Sequence, residues 1–426
     1  MQFSNGDEVE VLTAEKTLKG KYIANPDKNF ITVKLDSGYN ISIERKKVKL
    51  VKLIKKAIPS TPEKADVKEN KSLKTIAILH TGGTISSKVD YSTGAVNPHF
   101  TPEELIAMFP EIKDIANIRS RLIRNMASDD MRFAHYNILA KEVEKEVKNN
   151  AEGVIITHGT DTMHHTSAAL SFILEGLSIP VLLVGAQRSS DRGSSDAAIN
   201  LVSAVQFMAK SDFAGVAVCM HKSMDDDVCS ILPGTNARKM HSSRRDAFKA
   251  VNAEPIAEVE GSNVKMLHSS YRKKGDGKLR LMPLKEELKI GMLVSHPNMF
   301  ASEVSAYEGF NGLVLEGTGL GHMPINEIDS MTKEHKKIFK AIEKLAKKMP
   351  VVMSCQTIYG RVDMNVYTPG RLLQEIGILG NLSPMTPETT FIKLAWLLSN
   401  HPKDVKKLIM ENLRGEIVKR AGVQEF

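Results

Sequence analysis

The sequence predicts two α/β domains, a larger one with a doubly wound parallel sheet and a smaller C-terminal one, preceded by a small all-β barrel. Two patterns support this. Short apolar strands alternate with amphipathic helices after residue 74, whereas residues 6–52 break into short β-prone stretches. The length of 426 residues exceeds what one hydrophobic core usually holds, and 42% hydrophobic with 25% charged residues is typical of a soluble globular protein.

The N-terminal region reads as five short strands, in "DEVEVLT", "LKGKYIANPD", "FITVKLDSG", "YNISIE" and "KVKLVK". Asn, Asp, Gly and Pro separate them, which predicts a small antiparallel, SH3-like barrel over residues 1–55. The polar segment that follows has two prolines and little to bury, so 56–74 is predicted to be a flexible basic linker. Residues 1–74 hold 16 Lys and Arg against 10 Asp and Glu, most of the net charge of +8. Attraction to an acidic partner is therefore concentrated here.

The larger α/β domain is predicted over residues 75–270. "KTIAILH", "GVIITHG", "IPVLLVGA" and "GVAVCM" are continuously apolar, as strands covered by helices on both faces must be. Helices are predicted for "FAHYNILAKEVEKEVKNN" and for "SDAAINLVSAVQFMAKS", the second with Ser195 as its N-cap.

A connector at 271–289, with a hairpin around "KKGDGK", is predicted to lead into the smaller α/β domain at 290–426. Its strands are expected in "KIGMLVSH", "GLVLEGTG" and "MPVVMSCQT", with a lysine-rich helix near 331–348. Two closing helices are expected in "TPETTFIKLAWLLSN" and "DVKKLIMENLRGEI", capped by Thr386 and Asp404.

Several classes of protein are excluded at this stage. The apolar runs are far shorter than the roughly 20 residues that span a bilayer, and the N-terminus lacks a basic start followed by an apolar core, so no membrane partner is expected. Three widely spaced cysteines, Cys219, Cys229 and Cys355, indicate neither a disulfide framework nor a zinc site. We expect a cytoplasmic protein without a metal of its own.

Three segments follow the ends of predicted parallel strands, where ligands bind in α/β sheets. We call them the first loop (81–85, "TGGTI"), the second loop (158–162, "HGTDT") and the third loop (185–191, "GAQRSSD"). Taken alone, the first loop is open to three interpretations: a phosphate cradle, a plain turn or the site of an attacking hydroxyl. It lacks both glycine-rich phosphate signatures, which disfavours the first.

The second loop favours nucleophilic chemistry. It sets the Thr160 hydroxyl beside the Asp161 carboxylate, and a threonine hydroxyl attacks only when a base is held close by. Lys239 can be that base if burial lowers its pKa while Asp161 orients it. Together with Thr84 and Tyr91, these residues form a plausible set for a hydroxyl-nucleophile amidase.

The pair "TGGTI" and "HGTDT", followed by "VGAQR", "RDAFKAVN" and "MTPET", resembles the L-asparaginase and glutaminase family from residue 75 onward. The resemblance implies two α/β domains of the L-asparaginase type and two-step acyl transfer. It makes Thr84 the nucleophile and Tyr91 its proton partner, with Thr160, Asp161 and Lys239 as the second catalytic group. Ser128, Asp129, Gly83 and Ala186 are then expected to bind the substrate.

Within that family, the N-terminal extension and "HGTDTMHHTSAALSF" are similar to the D-subunit family of archaeal glutamyl-tRNA(Gln) amidotransferases, a resemblance that covers the whole chain. It implies release of ammonia from glutamine or asparagine, and an E subunit that uses ATP and Mg²⁺ to convert Glu-tRNA(Gln) to Gln-tRNA(Gln). A heterotetramer of two D and two E subunits, a homodimer through the asparaginase-like domains and tRNA(Gln) held mainly by the E subunit follow from it. Gly193 departs from the proline that this family more often has.

Two interpretations of function remain open from sequence. One is the ammonia-supplying subunit, in which the barrel docks a partner protein; the other is an autonomous L-asparaginase. Direct tRNA contact by the barrel is disfavoured because no aromatic residues interleave with the basic run at 45–47 or with the linker lysines. His164 and His165 are adjacent on a predicted helix and point about 100° apart, so they do not form an i, i+4 metal pair. His158 is expected to be a hydrogen-bonded core histidine.

Overall fold

The structure is a computed structural model that describes residues 3, 6–14, 16–23, 25, 27–35, 40–56, 70–83, 88–89, 96–97, 110–188, 195–275 and 277–418. The strands are β1 (Glu8–Thr13), β2 (Thr17–Ile23), β3 (Phe30–Lys34), β4 (Asn40–Glu44), β5 (Val48–Lys55), β6 (Thr75–His80), β7 (Lys88–Val89), β8 (Val96–Asn97), β9 (Asn117–Leu122), β10 (Gly153–Thr157), β11 (Leu174–Glu175), β12 (Pro180–Val184), β13 (Gly215–His221), β14 (Val228–Pro233), β15 (Ala237–Lys239), β16 (Phe248–Ala250), β17 (Ala257–Glu260), β18 (Asn263–Met266), β19 (Arg280–Leu281), β20 (Ile290–Val294), β21 (Gly312–Gly317) and β22 (Val351–Cys355). The α-helices are α1 (Phe133–Lys148), α2 (Met163–Ile173), α3 (Ala197–Lys210), α4 (Ala301–Ser305), α5 (Lys333–Ala346), α6 (Thr368–Glu375), α7 (Pro387–Asn400) and α8 (Val405–Leu408).

The N-terminal region is all-β, as predicted. Its five strands form an antiparallel sheet in the order β4-β3-β2-β1-β5. Alternate residues of β1, Val9 and Val11, are fully buried and pack with Ile31, Val33 and Ile43. This alternation is what a sheet with one face on a core requires. Residues 57–69 of the predicted linker lie outside the described part, and the domain boundaries drawn from sequence stay predictions.

An eight-stranded sheet forms the centre of the larger α/β unit, in the order β18-β17-β14-β13-β12-β10-β6-β9. The four strands predicted from apolar runs, β6, β10, β12 and β13, lie in its parallel part. The strands β14, β17 and β18 extend it in antiparallel fashion, which the sequence patterns did not indicate.

Residues of the central strands alternate between two cores. In β6, Ala77 and Leu79 pack with α1 and α2, whereas Ile76 and Ile78 pack on the other face with α3. A strand that is covered on both faces has to be apolar at every position. The sheet is therefore doubly wound, as predicted, and its strand ends are free to carry polar loops.

The C-terminal unit contains the three-stranded parallel sheet β20-β21-β22. Helix α7 does not belong to this unit alone, since its Trp396 packs on Phe172 of α2 with ring centroids 5.5 Å apart. Residues of α7, β21 and β22 share one core with α1 and α2. The two α/β units are thus joined through a common hydrophobic cluster.

Three local predictions were wrong. The hairpin lies at β17 and β18 rather than around "KKGDGK", because β19 pairs with β11. The last helix is α8 alone instead of 404–417, because Glu416 accepts the N–H groups of Leu413 and Arg414. Asp196, not Ser195, is the N-cap of α3. By contrast, the predicted cap Thr386 accepts the Thr389 N–H at 3.3 Å.

A fully buried ion pair fastens the segment after α8. Lys393 of α7 and Glu416 are both 0% exposed, with Nζ and Oε1 2.6 Å apart. Lys393 also donates to the carbonyl of Glu411 at 2.6 Å. Burial lowers the pKa of Lys393, while Glu416 opposes that effect. A buried charge needs such partners, because leaving either one alone is strongly destabilising.

Candidate active site

The three loops lie side by side at one edge of the sheet. The first follows β6, the second follows β10 and the third follows β12, and these strands are adjacent and parallel. The first and second loops begin together, with the Thr81 hydroxyl donating to the Thr157 carbonyl at 2.8 Å. The carboxyl ends of parallel strands are where an α/β sheet forms its ligand crevice.

Thr160, Asp161 and Lys239 form one hydrogen-bonded group. Lys239 Nζ donates to Thr160 Oγ1 at 2.8 Å and to Asp161 Oδ1 at 2.7 Å. Thr160 is 7% exposed, whereas the Asp161 side chain is 63% exposed. The fold thus brings Lys239 onto two residues that precede it by 79 and 78 positions in sequence, with the hydroxyl inside and the carboxylate at the surface.

Lys239 reaches this position from a short hairpin. It ends β15 and is paired with Phe248 of β16, which is 1% exposed. The Lys239 side chain is 10% exposed, so it is largely shielded from bulk water. The catalytic roles of the three residues stay predictions.

Gly83 allows the first loop to touch the second. Its φ is +82°, and a Cβ atom placed on it would lie 2.6 Å from the backbone nitrogen of Gly159. Both the dihedral angle and the contact require glycine. Thr84 and Tyr91 lie outside the described residues, but Gly83 shows that the segment immediately before Thr84 lies against the loop that carries Thr160.

Gly83→Ala is expected to lower the free energy of unfolding by about 1–3 kcal/mol, because a left-handed alanine would also press on Gly159. Amide hydrolysis should fall by more than the lost stability explains, since the first and second loops are forced apart. Urea unfolding and initial rates at 25 °C measure the two effects. Gly261→Ala is the matched control: its φ is +54° and nothing lies within 4 Å of an added Cβ. Equal activity loss in both variants would contradict this prediction.

Ser128 packs beneath the second loop. It is 4% exposed, its Oγ accepts the Thr162 N–H at 3.3 Å, and its carbonyl accepts the Thr162 hydroxyl at 2.6 Å. An added Cβ on Gly159 would lie 3.0 Å from Ser128 Cβ. The next residue, Asp129, is exposed. Ser128 therefore borders the second loop, Asp129 is its exposed neighbour in sequence, and the role of both in substrate binding stays a prediction.

The third loop closes the group from the other side. Gly185 lies against Thr160, since an added Cβ would be 2.8 Å from Thr160 Cγ2. The next residue, Ala186, is 1% exposed. Gly193, where the sequence departs from the family pattern, lies outside the described residues. All the described candidates, Gly83, Ser128, Asp129, Thr160, Asp161, Ala186 and Lys239, thus come from adjoining segments.

His158 is a hydrogen-bonded core histidine, as predicted. It is 0% exposed, with Nδ1 2.6 Å from the Gly159 carbonyl and Nε2 2.9 Å from Thr166 Oγ1. Burial lowers its pKa to about 4. It is neutral at physiological pH and fixes the start of the second loop.

His164 and His165 pack between the two α/β units. Their rings are 4.7 Å apart, and His164 Nε2 lies 3.8 Å from Glu388 Oε1 on α7. Glu388 also pairs with Arg238 Nη2 at 3.1 Å, directly before Lys239 in sequence. Burial lowers the pKa of His164 to about 2. Among the described residues, no group of three or more His, Cys, Asp or Glu is placed to hold a metal ion.

Sequence reasoning missed the side chains that hold the loops from behind. Thr162 ties the second loop to Ser128, and Asp196 of the third loop's helix accepts the N–H groups of Gln187 and Arg188, each at 3.0 Å. The Thr, Ser and Asp residues of these motifs indicated that hydrogen bonds would form. They did not indicate which groups these side chains would bond.

Two further observations bound the site. A cavity of about 700 Å³ lies at the opposite end of the sheet, around Gly215 and Pro233, and Thr160, Asp161 and Lys239 do not line it. No helix within the described ranges combines the length and the apolar character needed to cross a membrane. The loop edge, not the cavity, is the candidate active site.

Models of three families match the chain. Residues 75–272 match "Asparaginase, N-terminal", residues 289–409 match "Glutaminase/Asparaginase C-terminal domain", and residues 3–54 match "GatD N-terminal domain". The D subunit of the glutamyl-tRNA(Gln) amidotransferase of Pyrococcus furiosus is 43% identical, across 97% of this chain and 94% of that protein. The chain belongs to the D-subunit family of glutamyl-tRNA(Gln) amidotransferases. Another member, from Methanothermobacter thermautotrophicus, is 39% identical across 99% of this chain and 95% of its own length.

Solved structures place the fold of this family member among the L-asparaginases. A thermostable L-asparaginase from Thermococcus kodakarensis superposes with a TM-score of 0.70 at 29% identity, covering 81% of this chain and 100% of that one. L-asparaginase I from Vibrio cholerae gives 0.69 at 26% identity, covering 81% and 99%. The predicted asparaginase-type fold is confirmed.

Proposed function

We propose that this chain is the ammonia-releasing amidase subunit of a tRNA-dependent amidotransferase that converts Glu-tRNA(Gln) to Gln-tRNA(Gln), with free glutamine or asparagine as the nitrogen source. The observation that carries the proposal is the group of Thr160, Asp161 and Lys239 within a chain whose similarity to the D subunits also includes residues 3–54. The hydrogen-bonded group supplies the chemistry. The N-terminal similarity distinguishes a subunit from a free-standing amidase.

The reaction is a two-step acyl transfer. Thr84 Oγ attacks the side-chain amide carbon, the C–N bond breaks, and the threonine proton leaves with nitrogen as ammonia. Water then attacks the ester and releases the free acid and Thr84. Tyr91 acts as the proton partner of Thr84. The backbone N–H groups of the first and second loops, which Gly83 and Gly159 bring close, are suited to hold the oxyanion.

Thr160 and Lys239 supply the second proton path. An amine Nζ accepts the Thr160 proton across the 2.8 Å contact, and Asp161 then stabilises the resulting ammonium at 2.7 Å. In the reverse sense the ammonium returns the proton through Thr160. The exposed carboxylate of Asp161 keeps the pair oriented while Thr160 stays inside.

The partner is an E subunit that binds tRNA(Gln), uses ATP and Mg²⁺ to activate glutamate on the tRNA, and captures the ammonia. The complex is a heterotetramer of two D and two E subunits, built on a homodimer of the asparaginase-like domains. This chain contributes no cofactor. The N-terminal sheet serves as a protein-docking module: its Lys19 pairs with Glu10 at 3.3 Å, so its charge is partly neutralised within the sheet.

An autonomous L-asparaginase is the second candidate. The superposition on two L-asparaginases over 81% of the chain favours it. It leaves residues 3–54, which match the GatD N-terminal domain, without a role. The subunit function accounts for both parts of the chain.

The proposed function is tested by tracing the side-chain amide nitrogen of glutamine into Gln-tRNA(Gln). Purified chain and its E-type partner are given Glu-tRNA(Gln), ATP, Mg²⁺ and glutamine labelled with ¹⁵N in the side-chain amide. We expect the label in Gln-tRNA(Gln), and we expect it to persist when unlabelled ammonium is added at a concentration equal to that of glutamine. A chain lacking residues 1–56 should retain amide hydrolysis and lose transfer.

Two outcomes would overturn the proposal. The first is full-rate asparagine hydrolysis by the chain alone, without any stimulation by the partner and Glu-tRNA(Gln), which identifies an autonomous asparaginase. The second is Gln-tRNA(Gln) formation at the same rate when this chain is left out and glutamine is the sole nitrogen source.

A further inference from the structure

The third loop is held from behind by two buried side chains, Asp196 at the start of α3 and Asn200 within it. The Asp196 carboxylate accepts the Gln187 and Arg188 N–H groups, each at 3.0 Å, and Asn200 Nδ2 donates to the Gly185 carbonyl at 3.0 Å. Asp196 and Asn200 are both 0% exposed. Two side chains one helical turn apart therefore fix the backbone of residues 185–188.

The partners of Asn200 determine which way its amide faces. Its Nδ2 meets the Gly185 carbonyl and, at 3.2 Å, the Asp196 carboxylate, and both of these are acceptors. Its Oδ1 therefore faces His221 Nδ1, which lies 2.6 Å away. An amide oxygen only accepts, so Nδ1 of His221 carries a proton.

The other ring nitrogen of His221 meets a second acceptor. Nε2 lies 3.2 Å from Asp226 Oδ1, and Asp226 is held ionised by Arg245, whose contact lowers its pKa. A histidine that donates from both nitrogens is an imidazolium. Its ring is nevertheless 0% exposed.

Charged neighbours stabilise this buried cation. Burial lowers the pKa of His221, but hydrogen bonding with Cys229 and Asp226 and the charge of Asp196 outweigh it, so the pKa is raised. The ring is surrounded by titratable and charged groups from five segments. These are Cys219 on β13, which also carries His221, Asp226 in the following loop, Cys229 on β14, Asp196 at the start of α3 and Arg245 before β16.

We propose that His221 is a pH-sensitive positioning residue for the third loop. Its protonated ring orients Asn200, and Asn200 with Asp196 fixes residues 185–188, of which Gly185 lies against Thr160. The proposal rests on the proposed function to the extent that this loop binds the amide substrate. It adds a residue that never touches the substrate but sets the geometry of the loop that does.

The sign of the pH effect follows from the raised pKa. Both hydrogen bonds of the imidazolium are fully present below the ordinary histidine pKa of about 6.5, and one of them is lost as pH rises through the higher folded-state pKa. The neutral ring has one proton for two acceptors, and the ionised Asp226 carboxylate competes for it with the Asn200 amide oxygen as the stronger acceptor. The third loop then loosens, and KM for the amide rises while kcat changes less.

Asp226→Asn tests the link. The side chain of Asp226 is 57% exposed, and the change removes its charge while keeping its shape. We expect the His221 pKa, followed by NMR of the full chain, to fall, and the alkaline rise in KM to move to lower pH by the same amount. Asp225→Asn is the matched control, because it removes an equal charge one residue away and its carboxylate bonds to Ser223. It should leave both midpoints in place.

A second measurement separates this inference from the proposed function. Hydrogen exchange at the Gln187 and Arg188 amides, measured without substrate and corrected for the intrinsic pH dependence, should accelerate as His221 deprotonates. Agreement between exchange and titration upholds the positioning role even in a chain that hydrolyses no amide. If the exchange rates stay constant across the His221 titration, or if Asp225→Asn shifts the midpoints as far as Asp226→Asn, the inference is overturned.

Discussion

Replacing Thr84 by alanine is expected to lower kcat for amide hydrolysis by about 10⁴- to 10⁶-fold, the loss that follows removal of a covalent nucleophile. Thr160, the other candidate hydroxyl, is assigned to the proton path through Lys239, so we expect it not to replace Thr84 as the nucleophile. Ammonia release from glutamine and from asparagine, measured at saturating substrate, gives the value. The loss should be confined to chemistry, so KM or an inhibition constant for the acid product should change little.

Thr84→Ser is the matched control for this change. Serine keeps a hydroxyl on Cβ and lacks only the methyl group, so it should recover a measurable fraction of the activity. A trapped acyl-enzyme, detected by mass spectrometry after rapid quench, should carry its extra mass on the peptide that contains Thr84. An alanine variant with the parent rate would show that the nucleophile is another residue.

Replacing Lys239 by methionine is expected to reduce kcat by about 10²- to 10⁴-fold, the usual contribution of a general acid or base. Methionine fills a similar volume, so the hairpin of β15 and β16 should remain folded. Loss of the Lys239 amine leaves Thr160 Oγ1 without the donor at 2.8 Å and Asp161 Oδ1 without the partner at 2.7 Å. Single-turnover rates separate acylation from hydrolysis of the acyl-enzyme and show which step requires the relay.

Lys249→Met is the control for the Lys239 variant. Lys249 lies on the opposite strand of the same hairpin, where it donates to the Lys222 carbonyl at 2.7 Å and lies 3.5 Å from Asp246. It should retain kcat within about twofold, as a surface substitution away from the chemistry does. A comparable loss in both variants would indicate that the hairpin matters as a structural element and that Lys239 has no chemical role.

Sequence alone predicted the fold where local pattern decides it. The continuously apolar runs of β6, β10, β12 and β13 predicted buried parallel strands, since only a strand covered on both faces is apolar at each position. Where pairing is chosen by distant residues, local pattern failed: β19 pairs with β11 across more than a hundred positions.

In the candidate site too, features set by local sequence could be predicted, and contacts between distant residues could not. The loops after the strands were predictable because strand ends and polar motifs coincide in sequence. The short distance between Lys239 Nζ and Thr160 Oγ1 could not be predicted from the sequence. The support that Asp196 and Asn200 give to residues 185–188 could not be predicted either. A helix cap and an ordinary asparagine have the same local appearance whether they face solvent or hold an active-site loop.

Helix α7 couples the stability of the two α/β units, because it packs against both. Its Glu388 pairs with Arg238, the residue before Lys239, and its Trp396 packs on Phe172 of α2, while Lys393 holds the segment after α8 through Glu416. The boundary that the sequence suggests near 271–289 therefore does not separate two independently stable domains. Cutting the polypeptide there would leave each half with an open core and unmatched charges. We therefore expect the two α/β units to unfold as one cooperative unit, so the candidate site is only as stable as helix α7, which supports it.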